Sequence, residues 1–176
     1  EQRDLEQWFF RITDYADRLL AGLEELTGWP EKVKVMQRNW IGRSTGAEID
    51  FAVPALGESI RVFTTRPDTV HGATFLVLAP EHPAVERILA GNPEAQVLRA
   101  WIQQVKKTSR IEREAEGLPK EGRPLAATAV NPATGEAIPL WIANYVLPDY
   151  GTGAIMAVPA HDARDLKHLI KHVPAR

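Results

Sequence analysis

The stretch "VFTTRPDTVHG" (residues 62–72) carries a β-branched, alternating run into two threonines, an Arg-Pro-Asp triplet and a third threonine. Val62 lies within "SIRVFTT", where apolar and polar residues alternate with the period of a half-buried strand. Pro67 fixes φ and cannot continue a strand ladder, so a turn follows. "ATFLVLAP" (73–80) is then a short unbroken apolar run, as expected of a buried strand. The turn residues themselves admit two readings. Asp68 can cap a neighbouring N–H while the threonines merely suit a strand end. Equally, hydroxyls beside a guanidinium can line a pocket in which Arg66 meets an anion.

Outward from this centre the chain alternates strands with helices. "AEIDFAV" (47–53) places Ile49, Phe51 and Val53 on one face, and residues 54–58 form a hairpin-like connection. Before it, Leu5, Phe9, Ile12, Ala16, Leu19, Leu23 and Leu26 recur at helical spacing, ended by Gly28. Pro30 can open a shorter helix, "PEKVKVMQRNWIG", with Val33, Met36 and Trp40 on one side. The change from helical to strand period at residues 42–45 predicts a helical lead-in over 1–43 and the main domain over 44–176. Downstream, "PEHPAVERILAG" and the longer, highly charged "NPEAQVLRAWIQQVKKTSRIEREAEG" carry helical patterns. "LAATAV", the turn "NPATGE" and "AIPLWIANYVL" form a hairpin, and "YGTGAIMAVPA" a glycine-flanked buried strand. "HDARDLKHLIKHV" predicts a terminal helix. Antiparallel-looking strand groups with helices inserted predict an α+β domain on a small, antiparallel or mixed, barrel-like sheet with surrounding helices.

Composition narrows the function. The 176 residues, 44% hydrophobic and 25% charged, suffice for one sizeable core. A net charge of −2 gives no basic field for wrapping duplex nucleic acid, though a single-stranded end could still enter a small pocket. The absence of cysteine excludes disulfides and thiolate chemistry. No apolar run approaches the ~20 residues of a membrane span, and "EQRDLEQWFF" has no signal-peptide pattern, so a cytoplasmic protein with no membrane partner is expected.

The second chemistry-bearing stretch is "YGTGAIMAVPAHDARD" (150–165). Glycines on both sides of Thr152 allow another backbone or a ligand to come close. Pro159 turns the strand into a helix whose first turns carry His161, Asp162 and Asp165, where carboxylates are favoured by the helix dipole. Asp162 and Asp165 share a helical face and could bind a cation, but a metal site wants a third or fourth ligand and only His161 is near, so no metal is expected.

Together, "RNWIGRSTGAEIDF", "VFTTRPDTVHGATFLVLAPEHP" and "NPATGEAIPLWIANYVLPDYGTGAIMAVPAHDARD" resemble the editing insertion of bacterial leucyl-tRNA synthetases. "MQRNWIGRS" followed by "TTRPDT" favours the leucyl branch over the isoleucyl and valyl ones. The leading helical segment is similar to the one that carries the synthetase chain into the insertion. Two departures stand out: Val70-His71, where the family has two bulky apolar residues, and the tail "LKHLIKHVPAR". Neither nucleotide-binding motif of class I synthetases is present, so the resemblance implies a piece of a larger enzyme, with ATP used by the full-length protein only.

The resemblance implies post-transfer editing: hydrolysis of norvalyl-, isoleucyl- or similarly mischarged tRNA(Leu), sparing leucyl-tRNA, without metal or cofactor. Asp165 matches the aspartate that anchors the substrate ammonium, with Asp162 supporting it. Thr64 and Thr65 match hydroxyls at the reacting end. Thr69 matches the threonine that closes the side-chain pocket, and Arg66 a residue near the tRNA end. Leu147, Tyr150, Ile155 and Met156 would lie along the terminal adenosine. The implied partners are the 3′ terminal adenosine of tRNA(Leu) and the rest of the synthetase. A module that holds the tRNA end without hydrolysis, or a structural linker, are the alternatives.

Overall fold

The computed structural model describes residues 6–8, 10–108, 112–113, 119–148, 151–163 and 165–166. The chain divides into two compact units, Glu1–Thr45 and Gly46–Arg176.

In the first unit, a 3-10 turn, Ile12–Tyr15, leads into α1, Ala16–Gly22. The helical period expected to run on to Leu26 is therefore cut short. Glycine costs about 1 kcal/mol relative to alanine in a helix, and the chain turns from Leu23 onward until Pro30. Leu5 and Phe9 lie outside the described residues, and Leu23 is the one expected face residue that is fully buried among those described. Helix α2, Glu31–Ile41, follows Pro30 and stops at Gly42, whose left-handed φ of +60° lets its N–H return to the Arg38 carbonyl. Arg38 ties the helix to the preceding turn, reaching Glu31 at 2.9 Å and Glu24 at 2.6 Å. The hydrogen bond from Arg38, then its charge, holds the Glu24 carboxyl below its ordinary range.

The second unit is a six-stranded mixed sheet with helices. Its strands are β1 (Ala47–Val53), β2 (Glu58–Thr64), β3 (Phe75–Leu78), β4 (Gly122–Val130), β5 (Ala137–Ala143) and β6 (Ala154–Ala157), in the order β2-β1-β4-β5-β3-β6. β1 and β2 form the expected hairpin, in a register that sets Asp50 opposite Arg61. The Arg61 guanidinium forks onto that carboxylate at 2.8 and 3.1 Å. β4 and β5 form the second hairpin, broken by a bulge between Pro124 and Thr128 where Ala126 takes a φ of +52°. β3 runs parallel to β5 and antiparallel to β6. A parallel pair needs a long crossover, and α3 (Pro83–Leu89), α4 (Ala95–Lys106) and β4 all lie between those partners in sequence.

The apolar run of β3 is explained by burial on both faces. Leu76 and Leu78 join the main core with Phe51, Val62, Ile88 and Ile102, while Phe75 and Val77 join a smaller cluster with Trp141 and Val146. The charged helix predicted through residue 117 ends as α4 at Lys106; residues 112–113 are helical, and most of the rest of that stretch lies outside the described residues. The barrel-like sheet is not closed: β2 and β6, the two ends of the strand order, share no strand ladder. They meet through a side chain, the Thr152 hydroxyl donating to the Arg61 carbonyl at 2.6 Å.

Candidate functional site

The threonine-rich segment folds as a tightly self-bonded turn. β2 ends at Thr64, whose Oγ1 accepts the Arg66 N–H at 3.0 Å. A 3-10 turn then runs over Pro67–Gly72, opened by the proline. The Arg66 carbonyl accepts both the N–H of Thr69, at 3.1 Å, and its hydroxyl, at 2.9 Å. Thr69 is 7% exposed, whereas Thr65, Arg66 and Asp68 stand at the surface. A β-branched side chain is stiff at χ1, and here the hydroxyl bond fixes the rotamer a second time. The capped-turn reading and the pocket reading are thus not exclusive.

Arg66 forks onto Asp68, Nε to Oδ1 at 2.9 Å and Nη2 to Oδ2 at 2.8 Å. These hydrogen bonds, then the Arg66 charge, hold the exposed Asp68 carboxyl below its ordinary range; His161 adds to the same effect. The guanidinium expected near an RNA end is in this state directed at its neighbour two residues on.

The second segment reaches the same place through the sheet. β6 pairs with β3 in a register that puts Ala157 opposite Phe75, and the Thr74 N–H donates to the Ala157 carbonyl at 3.0 Å. The residues just before β3, which include the 3-10 turn, therefore lie beside the residues just after β6. A β-carbon at Gly72 would stand 3.3 Å from Val158 Cγ1. After β6 the chain turns on Val158: its carbonyl accepts the N–H groups of His161, at 2.8 Å, and Asp162, at 3.1 Å. The Val158 N–H in turn donates to Asp165 Oδ2 at 2.9 Å. Asp165 is 5% exposed, its carboxylate oriented by the main chain of Val158, the residue that a β-carbon at Gly72 would meet.

The remaining predicted residues are distributed differently. Ile155 and Met156 are consecutive in β6, so their side chains leave by opposite faces. Met156 belongs to the main core, and Ile155 packs on the smaller cluster. Leu147 and Asp162 are half-buried, and Tyr150 lies outside the described residues. The glycines around Thr152 do permit a close approach, which Phe63 makes at Gly151 and the Pro148 main chain at Gly153. A β-carbon at Gly151 would fall 2.8 Å from Phe63 Cβ, and one at Gly46 would fall 2.4 Å from the Thr64 carbonyl oxygen. Among the described residues, no three or more His, Asp or Glu side chains are grouped to hold a metal ion. No helix among them is long and apolar enough to cross a membrane.

Sequence reasoning missed Asn131, the first residue of "NPATGE". It is 1% exposed, and its Nδ2 donates to the Val70 carbonyl at 2.8 Å, inside the threonine turn. An asparagine opening a turn gives no local signal of a partner so far along the chain.

Comparison with known proteins bears on the fold and the family. Residues 38–173 match the family model described as leucyl-tRNA synthetase, editing domain. The match includes most of the tail after Asp165, so the departure expected there does not take the segment out of the family. The chain is 56% identical over 173 residues to a leucine--tRNA ligase of Nitratidesulfovibrio vulgaris, covering 98% of this chain and 21% of that protein. It is 59% identical over 166 residues to the leucine--tRNA ligase of Gloeobacter violaceus, covering 94% of this chain and 19% of that one. The chain thus spans about a fifth of the length of these relatives. Its fold superposes, with a TM-score of 0.76 and 43% identity over 96% of this chain and 20% of the other, on a crystal structure of the ternary complex of Agrobacterium radiobacter K84 agnB2 LeuRS-tRNA-LeuAMS. On that match and the sheet that carries it, the chain belongs to the editing-domain family of leucyl-tRNA synthetases.

Proposed function

We propose that this chain hydrolyses the ester of mischarged tRNA(Leu), bearing norvaline, isoleucine or a similar residue, and spares leucyl-tRNA. The observation that supports it best is the meeting of the Pro67–Gly72 turn with the Val158–Asp165 turn at one end of the β3–β6 pair. One of these segments carries a buried carboxylate bonded to the Val158 N–H, the other a threonine held twice by the Arg66 carbonyl. The need is set by binding energetics: one methylene is worth only ~1–3 kcal/mol, so a pocket for leucine cannot reject near-isosteres by itself.

Asp165 takes the substrate's ammonium through a charge-assisted hydrogen bond, which orients the ester. With the ammonium fixed, the amino-acid side chain has one direction in which to lie, and Thr69 blocks it for leucine's branched end. Thr64 and Thr65 position water or the ester carbonyl at the reacting end. Water adds to the carbonyl carbon, and the bond to the ribose oxygen breaks. The amino acid leaves as its carboxylate, and the ribose hydroxyl is regenerated. The ribose's free hydroxyl assists, and no metal, cofactor or covalent intermediate is used. Arg66 and Leu147, with Tyr150, Ile155 and Asp162, serve the terminal adenosine and its ester. The work is done in the cytoplasm as part of a longer synthetase, which alone uses ATP.

Deacylation of leucyl- and isoleucyl-tRNA(Leu) tests this. Thr69→Ala should admit leucine, so that leucyl-tRNA is hydrolysed, while Thr69→Tyr should stop hydrolysis of every substrate. An alanine variant that edits isoleucyl-tRNA and still spares leucyl-tRNA removes Thr69 from the role of discriminator. Binding of the tRNA end without any hydrolysis would leave a holding module instead.

A further inference from the structure

The turn that carries Thr69 is held at its two ends by different means. At its start, the Arg66 carbonyl takes the Thr69 N–H and hydroxyl, both local bonds. At its end, the Val70 carbonyl accepts the Ala73 N–H at 3.1 Å and also the side-chain amide of Asn131 at 2.8 Å. Asn131 lies 61 residues away in sequence, where β4 passes into the turn to β5. Its backbone is fixed in that turn: its N–H donates to the Glu136 carbonyl at 2.9 Å, and its carbonyl accepts from Gly135 at 2.8 Å. Its Oδ1 accepts the Ala133 N–H at 3.0 Å. The same Nδ2 reaches the Ala73 carbonyl at 3.5 Å. The amide is thus anchored on one side by the hairpin and aimed on the other at the residues that follow Thr69.

We propose that Asn131 is a specificity-positioning residue: its side-chain amide sets how far Thr69 projects into the amino-acid pocket, and so how strongly leucine is refused. The inference rests on the reading of Thr69 as the discriminator. A buried side chain with both amide atoms engaged offers the turn one position, and a block against a single methyl group works only over a fraction of an ångström. Loss of the Nδ2 bond leaves the Val70 carbonyl with its local donor, so the turn persists but is free to shift outward.

The test uses this chain both alone and carried in a full-length leucine--tRNA ligase in place of the corresponding segment. Asn131→Asp keeps the shape and the acceptor for Ala133 but sets an oxygen against the Val70 and Ala73 carbonyls. Asn131→Ser removes the amide with no repulsion, and serves if the aspartate variant does not fold. Either should raise hydrolysis of leucyl-tRNA relative to norvalyl-tRNA by about tenfold, the low end of what one methylene decides. In a Thr69→Ala background the same substitutions should leave that ratio unchanged. A purely structural role would lower both rates and the unfolding temperature together without moving the ratio. That outcome, with Thr69→Ala still relaxed, overturns the role of Asn131 and leaves the proposed function intact. If Thr69→Ala itself fails to admit leucine, the discriminator reading is lost and the positioning role with it.

Discussion

One oxygen of Asp165 accepts the Val158 N–H at 2.9 Å, and that bond gives the side chain two separable duties. It satisfies a buried donor, and in the proposed function its charge takes the substrate ammonium. Asp165→Ala abandons both, and leaving a buried N–H unpaired costs about 1–3 kcal/mol of stability. Asp165→Asn keeps an acceptor for Val158 and discards the charge. The asparagine variant should therefore unfold near the parent temperature yet lose a charge-assisted bond of roughly 1.5–3 kcal/mol, a fall of about 10- to 150-fold in isoleucyl-tRNA deacylation. Retention of full hydrolysis by a folded asparagine variant would show that the carboxylate only supports the turn. The sequence carried Thr69 and Asp165 as motif positions, but not their burial or their bonds. Both bonds of Thr69 to Arg66 are local and could be anticipated from a threonine two residues after proline. The partner of Asn131 could not, because it is set by how β4 and β5 lie against the segment before β3.

At the scale of elements, two local devices carry testable energies. Ala126 occupies the left-handed region at φ +52°, in the bulge of β4, and its side chain is exposed. That conformation costs an L-residue roughly 1–2 kcal/mol, and glycine gives back about 0.5–1 kcal/mol in unfolded-state freedom. Ala126→Gly should thus stabilise by about 0.5–1 kcal/mol in denaturant unfolding; a loss of stability would mean the methyl group packs on something that matters. His82 caps α3, its Nδ1 accepting the Ala84 N–H at 3.1 Å. Burial first, and the charge of Arg87 second, push the His82 pKa down from its ordinary 6.5. With the folded value below the unfolded one, this contribution is complete above about pH 7. It declines as pH falls through the unfolded value toward the folded one, where the imidazole gains a proton and loses its acceptor. His82→Asn keeps a capping acceptor that does not titrate, so its unfolding temperature should fall less between pH 7 and 5 (on the order of those bounds). Equal falls in parent and variant would assign the acid sensitivity elsewhere. The alternation of β1, the hairpins and α2 were all legible in the chain, since each follows from local period and turn chemistry. The bulge at Ala126 was not, because tertiary packing decides it; the end of α1 at Gly22 and the opposite facing of Ile155 and Met156 follow from local chemistry, a helix-weakening glycine and the two-residue strand period.

The whole molecule falls into two compact units, Glu1–Thr45 and Gly46–Arg176. Every strand among the described residues, both apolar clusters and the two segments of the site belong to Gly46–Arg176. A chain beginning at Gly46 should accordingly unfold in one cooperative transition and keep the ratio of isoleucyl- to leucyl-tRNA deacylation of the full chain. Aggregation of that shorter chain, or a changed ratio, would show that the first unit takes part in the site. The parallel pairing of β3 with β5 belongs to this scale too: no local pattern separates a buried antiparallel strand from a buried parallel one.

An open sheet has two borders, and borders are where stray strands add on and chains aggregate. Here those borders are β2 and β6, and they lie against each other. The Thr152 hydroxyl takes the Arg61 carbonyl that a foreign strand would otherwise seek, and Gly151 gives Phe63 room to lie in the gap. The two borders thereby meet through one side-chain bond while forming no ladder between them. Thr152→Val, which keeps the bulk and removes the donor, should leave the fold intact and free the Arg61 carbonyl, and sedimentation of the variant against the parent would show whether that border then recruits a second chain.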